Sequence, residues 1–147
     1  MDKGVYCLVF ANDSRVIQVG ALGVIDFPGG WHVYTGSALG PGGLQRVSRH
    51  FRLFSCGSGK KRWHIDYLLT DSGFSLRYAI CASTTDPLEC EIARNAGGIP
   101  VPRFGCSDCH CRSHLFYFAD DPGRRVNDSF KSVGLLPRIV TLNTIER

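Results

Sequence analysis

An unbroken apolar run near the N-terminus, GVYCLVF at residues 4–10, limits the folds open to this sequence more than any other segment. A strand with one face in water alternates apolar and polar residues, whereas this run is apolar at nearly every position and rich in β-favouring side chains. It therefore predicts a strand that is covered on both faces. A chain of 147 residues, 44% of them hydrophobic, is long enough to supply that cover within one domain, expected to span residues 1–147.

Turn and breaker residues divide the rest of the chain into short elements. The turn Asn12-Asp13-Ser14 leads to a second strand at residues 15–19, which predicts an antiparallel hairpin with the first strand. Further strands are predicted at residues 31–34, 75–81, 114–118 and 138–142. Together with the helices below, these strands predict an α+β domain with a small central antiparallel or mixed sheet flanked by helices.

The predicted helices follow from changes in hydrophobic period and from capping residues. From Leu44 the apolar residues recur at helical spacing until the break at Cys56-Gly57-Ser58-Gly59. The apolar face of this helix consists of Leu44, Val47 and Phe51. The side turned away from it consists of Arg46, Arg49, His50 and Arg52. Residues 63–69 predict a short helical element, and residues 86–97 a helix with Asp86 as N-cap and Gly97 as C-terminal cap.

The charge and cysteine content narrow the class of partner and the compartment. The net charge is +4, and basic side chains concentrate between Arg46 and Arg62, which indicates a polyanionic partner such as nucleic acid, with a solvated basic face as an equally open alternative on charge alone. No signal-peptide pattern follows Met1, and no apolar run reaches the roughly 18 residues of a membrane span. We therefore expect a cytoplasmic protein with no membrane partner, whose seven cysteines are thiols or metal ligands.

Four elements of the chain resemble the GIY-YIG nuclease superfamily. They are Gly4-Val5-Tyr6 in the first strand, Tyr34-Thr35-Gly36 at a later strand end, Arg46 and His50 four residues apart on the next helix, and a glutamate on a downstream helix. The longer segments YTGSALGPGGLQRVSRH, WHIDYLL, ECEIA and FGCSDCHCRSHLFYF resemble the Uri-type endonucleases, a branch found alone or fused to endonuclease III. The resemblance covers roughly residues 4 to 118.

This resemblance implies a divalent-metal-dependent endonuclease that hydrolyses nucleic-acid phosphodiester bonds, with DNA as the substrate and a DNA-repair protein as a possible partner. The implied catalytic residues are Tyr6, Tyr34, Arg46, His50 and Glu89. One of the two phenols would act as general base if nearby positive charge lowers its pKa. The other would be its hydrogen-bonded partner and hold it in position. Arg46 would grip phosphate oxygens, and His50 would assist proton transfer or bind phosphate.

The metal ligand is one of two neighbouring glutamates. Glu89 is preferred, with Glu91 as the alternative, and a single hard carboxylate suits Mg²⁺ or Mn²⁺. Glu89 also fits a capping box with Asp86, in which its carboxylate serves only the N-cap amide. The residues expected to bind substrate are Gly36, Ser37, Arg49, Lys61 and His64.

In the segment WHIDY, His64 and Asp66 are not expected to converge on one atom, because residues two apart on a helix lie about 200° apart around its axis, so one of them is expected to face the site. Trp63 and Tyr67 are interpreted as core residues, with stacking on an unpaired base as the alternative.

A cysteine-rich segment offers a second metal hypothesis. Cys106, Cys109, Cys111 and His114 have residue types and spacing that suit a structural Zn²⁺ site, but the set lacks the long loop that usually separates two ligand pairs. Buried thiols with a hydrogen-bonded His114, or a role for this segment in the catalytic pocket, are the alternatives. At the level of function, the alternatives are a catalytically inactive nucleic-acid-binding module and a zinc-stabilised interaction domain.

Overall fold

The structure, a computed structural model, describes residues 2–105 and 113–145. Within them the strands are β1 (Gly4–Asn12), β2 (Arg15–Gln18), β3 (Val24–Phe27), β4 (Gly30–Ala38), β5 (Phe74–Ser83), β6 (Ile99–Pro100), β7 (Leu115–Phe118) and β8 (Arg138–Val140). The helices are α1 (Gln45–Cys56), α2 (His64–Leu69), α3 (Glu89–Ala96), α4 (Gly123–Ser132) and α5 (Leu142–Ile145). None of these helices is long and apolar enough to cross a membrane.

The main sheet has six strands in the order β6-β7-β4-β1-β5-β8, and every neighbouring pair is antiparallel. Helices pack on both of its faces, so the predicted α+β class is confirmed, and the sheet is antiparallel rather than mixed. The predicted first strand, β1, is paired along both edges, with β4 on one side and β5 on the other.

β1 contributes side chains to two hydrophobic cores, as its continuous apolar run predicts. Tyr6, Leu8 and Phe10 belong to the core shared with α1 and α2, whereas Val5 and Cys7 belong to the core shared with α3 and α4. All five side chains are buried. Because alternate residues of a strand point to opposite faces, one run of sequence anchors both helical layers.

The predicted hairpin between β1 and the next strand is wrong. β2 pairs with β3 in a separate two-stranded sheet, because both edges of β1 are already occupied by β4 and β5. The turn after β1 is fixed by hydrogen bonds to two other segments of the chain. The Asp13 amide donates to the Gly73 carbonyl at 3.0 Å, and the Asn12 side chain donates to the Pro28 carbonyl at 3.0 Å. The chain therefore passes away from β1 after the turn.

α1 confirms the predicted helix and its apolar face, but it corrects the position of one residue. Val47 and Phe51 are buried as expected, and Arg46 and Arg49 are half-buried. His50, predicted on the outer side, is fully buried. It lies three residues after Val47 and therefore shares the buried face of the helix.

α3 begins later than the sequence predicts. The Thr84 hydroxyl accepts the Asp86 amide at 3.1 Å, and the Leu88 amide donates to the Asp86 carbonyl at 3.0 Å, so residues 86–88 form a turn. The helix starts at Glu89 without a side-chain cap, and it ends before Gly97 as predicted, which adopts a left-handed conformation with φ of 82°. The predicted cap by Asp86, and with it the capping box, is wrong.

The remaining predicted elements are present with shifted ends. The strand predicted at residues 31–34 extends to Ala38 as part of β4, and the final strand stops at Val140. β3, β6, α4 and α5 were not predicted from the sequence.

Candidate functional site

A cavity of about 250 Å³ opens beside the end of the main sheet, between β4, α1, α2 and the start of α3. Its lining residues are Tyr6, Tyr34, Gly36, Ser37, Arg46, Arg62, Trp63, His64, Glu89, Gly105 and His114. The chain segments that contribute them are far apart in sequence, and the sheet brings them together. Most of the predicted site residues lie here, so the cavity is the candidate active site.

Strand register brings the two tyrosines together. Tyr6 lies directly opposite Gly36, and Leu8 lies directly opposite Tyr34, in the antiparallel pair of β1 and β4. Residues opposite each other share a sheet face, so Tyr6 and Tyr34 are diagonal neighbours on the face that carries α1 and α2. Gly36 is required here because a Cβ atom would overlap the Cζ and Oη atoms of Tyr6.

His50 lies behind Tyr6 rather than in the cavity lining. The Tyr6 Oη atom is 2.8 Å from His50 Nε2, and both residues are almost inaccessible to solvent. Burial, together with the smaller effects of the cations Arg49 and Arg46, lowers the pKa of His50 to about 3. His50 is therefore a neutral hydrogen-bonding partner of the phenol at physiological pH, and it supplies no positive charge for a phosphate.

The environment of Tyr6 favours its neutral form. Burial raises the pKa of Tyr6 well above its usual value, and the neighbouring Tyr34 raises it further. The positive charge of Arg46 opposes both effects but is the smaller influence. The condition under which Tyr6 would serve as general base, a pKa lowered by nearby positive charge, is therefore not met by the residues around it.

Arg46 is held by the strand that it faces. Its Nη1 atom donates a 2.7 Å hydrogen bond to the Ser37 carbonyl, and its Cζ atom lies 5.0 Å from the ring centroid of Trp63. A guanidinium carries five N–H donors, so one bond to the backbone fixes the side chain and still allows it to grip an anion. Arg62 adds a second permanent cation to the same lining.

Glu89 is the acidic side chain of the cavity lining. Its Oε2 atom is buried and has no hydrogen-bond partner among the described residues. A buried carboxylate oxygen without a donor is costly, and the usual explanation is a bound cation or water. Glu91, the alternative ligand, is exposed on the same helical turn and does not line the cavity.

His64 and His114 line the cavity near the start of α3. The Gly105 amide donates to His64 Nδ1 at 2.9 Å, which leaves the proton of the neutral ring on Nε2. Burial lowers the pKa of both histidines, and the negative charge of Glu89 opposes that shift for His114. Both rings are thus polar, mainly neutral walls of the site at physiological pH.

Asp66 lies beneath the site. Its Oδ2 atom accepts the Arg62 amide at 2.8 Å and the Trp63 amide at 3.2 Å, and it is 3.7 Å from Arg49 Nη2. The carboxylate is fully buried, so it fixes the start of α2, whereas His64 reaches the cavity. Of these two residues, His64 lines the cavity and Asp66 does not.

Two of the predicted substrate-binding residues lie outside the cavity lining. The Arg49 Cζ atom lies 4.4 Å from the ring centroid of Trp63, and the Lys61 Nζ atom lies 5.7 Å from that of Tyr67. Gly36, Ser37 and His64, the other three, line the cavity.

One family model, described as "Domain of unknown function DUF123", matches residues 5–135. The chain belongs to the DUF123 family. The matched range holds every residue of the cavity lining, so the candidate site is part of the DUF123 domain. Searches of curated proteins and of solved structures found no match.

The sequence suggests that the cysteines of this DUF123 domain are thiols or metal ligands. The structure corrects this expectation for one of them. Cys7, Cys56 and Cys81 are free, but Cys90 is disulfide-bonded. Cys90 Sγ lies 3.8 Å from His114 Nε2. The other predicted zinc ligands, Cys106, Cys109 and Cys111, lie outside the described residues. In residues 2–105 and 113–145, no group of three or more His, Cys, Asp or Glu side chains is arranged to hold a metal ion.

Three residues of the DUF123 cavity were not assigned to the site from the sequence: Gly105, and the chain neighbours Arg62 and Trp63. Trp63 was interpreted as a core residue, yet it is 38% exposed and forms part of the cavity wall. Arg62 was recognised only as one of a basic cluster. The signal that connects them is the Asp66 carboxylate, which caps α2 and holds the backbone of both residues. Tyr67, by contrast, is half-buried against the core.

Proposed function

We propose that this DUF123 protein is a divalent-metal-dependent endonuclease of the Uri-type branch of the GIY-YIG superfamily, and that it acts on DNA. The observation that carries the proposal is the buried Glu89 Oε2 atom, which has no hydrogen-bond partner within residues 2–105 and 113–145, in a cavity that also contains Arg46 and two phenols. Metal-assisted phosphodiester hydrolysis uses a cation near the non-bridging oxygens, a site for the metal and a proton acceptor. This cavity contains a candidate for each.

The donor set of the cavity fits a hard divalent cation. Glu89 would hold Mg²⁺ or Mn²⁺ through its unpartnered carboxylate oxygen, leaving the other coordination positions to water and phosphate. Such an ion, when bound, lowers the pKa of water and stabilises negative charge on phosphate oxygens. The location of Glu89 in the cavity lining, with Glu91 exposed, supports Glu89 as the ligand.

Arg46 is the residue proposed to bind the scissile phosphate. The Ser37 carbonyl and the Trp63 ring hold its guanidinium in place before substrate arrives, so little side-chain freedom is lost on binding. A planar, permanent cation that makes two parallel hydrogen bonds suits the charge that develops on a phosphate during hydrolysis.

The two phenols receive different roles in this proposal. Tyr6 is neutral because burial raises its pKa, so it orients water or a phosphate oxygen as a hydrogen-bonding group. Tyr34 is less buried and is therefore the better candidate for the general base. His50 acts through Tyr6 as its hydrogen-bonding partner.

The test compares Glu89→Gln with Glu91→Gln in cleavage of labelled DNA with Mg²⁺ or Mn²⁺. Glu89→Gln removes only the charge, so we expect the cleavage rate to fall at least ~100-fold, the scale of losing one transition-state contact. Titration with Mn²⁺ alone, followed by electron paramagnetic resonance, should show the same loss of affinity. Glu91→Gln, on the same turn, should leave both readouts unchanged.

Three outcomes would contradict the proposal. Loss of Mn²⁺ affinity in Glu91→Gln but not in Glu89→Gln would exclude the assigned ligand. A larger rate loss in Tyr6→Phe than in Tyr34→Phe would reverse the assigned phenol roles. If the wild type cleaves no DNA but still binds it with a steep salt dependence, the inactive nucleic-acid-binding module replaces the nuclease.

A further inference from the structure

Trp63 differs from the other large aromatic residues around the site because it is open to solvent. It is 38% exposed, whereas Tyr6 is 2% exposed and Phe104 is fully buried. The indole nevertheless lines the same cavity as Glu89 and Arg46. An exposed aromatic ring in the wall of a polar cavity offers contact area to a ligand.

The ring is held in place by its neighbours. The Trp63 amide donates to Asp66 Oδ2 at 3.2 Å, and the Arg49 Cζ atom lies 4.4 Å from the Trp63 ring centroid. The His50 ring packs edge-on against the indole, with 5.9 Å between the two ring centroids. Because these contacts already restrict the side chain, a ligand that stacks on it loses little additional entropy.

The ring also lies next to the proposed phosphate-binding group. The Arg46 Cζ atom is 5.0 Å from the Trp63 ring centroid, and Arg62 directly precedes Trp63 in the chain. In a nucleotide, the base is separated from its phosphate by a single sugar. A phosphate held by Arg46 therefore brings an adjacent base within reach of the indole.

We propose that Trp63 is a stacking platform for an unpaired base next to the phosphodiester held by Arg46, and that the protein selects unpaired nucleotides over continuous duplex. In a duplex both faces of each base are covered by its neighbours, so only a single-stranded, flap or extruded nucleotide presents a free face. This inference rests on the proposed function for the location of the phosphate.

The chain contains two tryptophans, Trp31 and Trp63, which permits a direct test by fluorescence. Trp31→Phe leaves Trp63 as the reporter, and Trp63→Phe leaves Trp31, which packs in the core on the opposite sheet face. Both proteins are titrated in EDTA with a single-stranded oligonucleotide and with the matching duplex. We expect single strands to quench Trp63 strongly, duplex to quench it weakly, and Trp31 to change with neither.

The second measurement is affinity for the same two DNAs in Trp63→Ala and Trp63→Phe. Loss of base stacking should weaken single-strand binding by roughly 5- to 100-fold in Trp63→Ala. Trp63→Phe should retain part of that affinity, and duplex affinity should fall much less, by the part that the Trp63 ring contributes to holding Arg46. An equal loss for both DNAs, or an unquenched Trp63 in the saturated single-strand complex, would overturn the inference.

Because these measurements are made without metal, they separate the two proposals. Quenching and single-strand preference without cleavage in Mg²⁺ would reject the nuclease and retain the stacking platform. Cleavage that does not distinguish single-stranded from duplex DNA, with no quenching, would retain the nuclease and reject the platform.

Discussion

Gly36 determines where the catalytic candidate Tyr6 can lie. The two residues face each other across β1 and β4, and any Cβ at position 36 would overlap the phenol ring. We expect Gly36→Ala to lower the free energy of unfolding by about 1–3 kcal/mol, the usual cost of overpacking a core, and to displace Tyr6 from the cavity. Urea unfolding measures the first effect, and the cleavage rate measures the second.

Gly40→Ala is the matched control. A Cβ at position 40 would meet only Arg46 Nη2, at 3.9 Å, which is ordinary contact. Equal stability of the two variants would show that the fit between Gly36 and Tyr6 is not what fixes the ring.

Two buried histidines should make the fold sensitive to acid. Burial lowers the pKa of His32 to about 4 and that of His50 to about 3. The unfolded chain, with a histidine pKa near 6.5, then binds protons that the folded chain does not, so stability falls as the pH drops below 6.5. At pH 5, each histidine should cost about 2 kcal/mol relative to pH 7.5.

Urea unfolding at pH 7.5 and pH 5 measures this loss. His32→Asn and His50→Gln keep an amide near the original hydrogen-bonding nitrogen and cannot gain a proton. Each should reduce the pH-dependent loss of the wild type by about 2 kcal/mol. Wild-type pH dependence in both variants would mean that other groups control acid stability.

At the scale of single residues, sequence analysis identified which side chains belong to the site, but it did not predict where each of them points. Tyr6, Tyr34, Arg46 and Glu89 were assigned to one site, and all four line one cavity. The hydrogen bond between His50 and Tyr6 was not foreseen, because the tyrosine lies 44 positions earlier in the chain. Helical periodicity describes only neighbours on the same helix.

At the scale of elements, two aspartates near helix starts have different roles: Asp66 is the third residue of α2, and Asp86 precedes α3. Asp66 caps the start of α2 and is fully buried, whereas Asp86, predicted as a cap, is exposed and makes no side-chain cap for α3. We expect Asp66→Ala to lose about 1–2 kcal/mol of stability from its capping bonds alone, and Asp86→Ala to be within about 0.5 kcal/mol of wild type.

Thermal or urea unfolding of the two alanine variants checks this difference. A loss for Asp86→Ala that matches the loss for Asp66→Ala would contradict the assigned start of α3. Because Asp66 also holds the amides of Arg62 and Trp63, Asp66→Ala should additionally weaken DNA binding.

The elements themselves were more predictable than their partners. An apolar run, a helical period and a glycine break are local signals, so β1, α1 and α2 were recognised. The pairing of β2 was not, because it depends on β4 and β5 occupying both edges of β1. Strand pairing is decided by segments that are distant in sequence.

At the scale of the whole molecule, β1 is the strand that both helical layers share. Its amides should exchange hydrogen only through global unfolding, because both edges are paired and both faces are buried. The β2–β3 ribbon and the three-residue strand β8 should exchange through local opening, with lower free energies that range down toward zero. Native-state hydrogen exchange, compared with the free energy from urea unfolding, tests both expectations.

Exchange from β1 at the rate of the ribbon would mean that the two layers separate before the molecule unfolds. The two-layer arrangement was predictable from the sequence of β1 alone. The cavity was not, because its shape depends on how β4, α2 and α3 meet at one end of the sheet.

The exposed connection at residues 85–87 divides the candidate site between two halves of the chain. Tyr6, Tyr34 and Arg46 precede it, and Glu89 and His114 follow it. A polypeptide cut at this connection would leave the proposed metal ligand on one fragment and the proposed phosphate-binding group on the other, with β7 able to dock on β4. The architecture is thus suited to fragment complementation, in which a complete site exists only when two separately produced pieces reassemble.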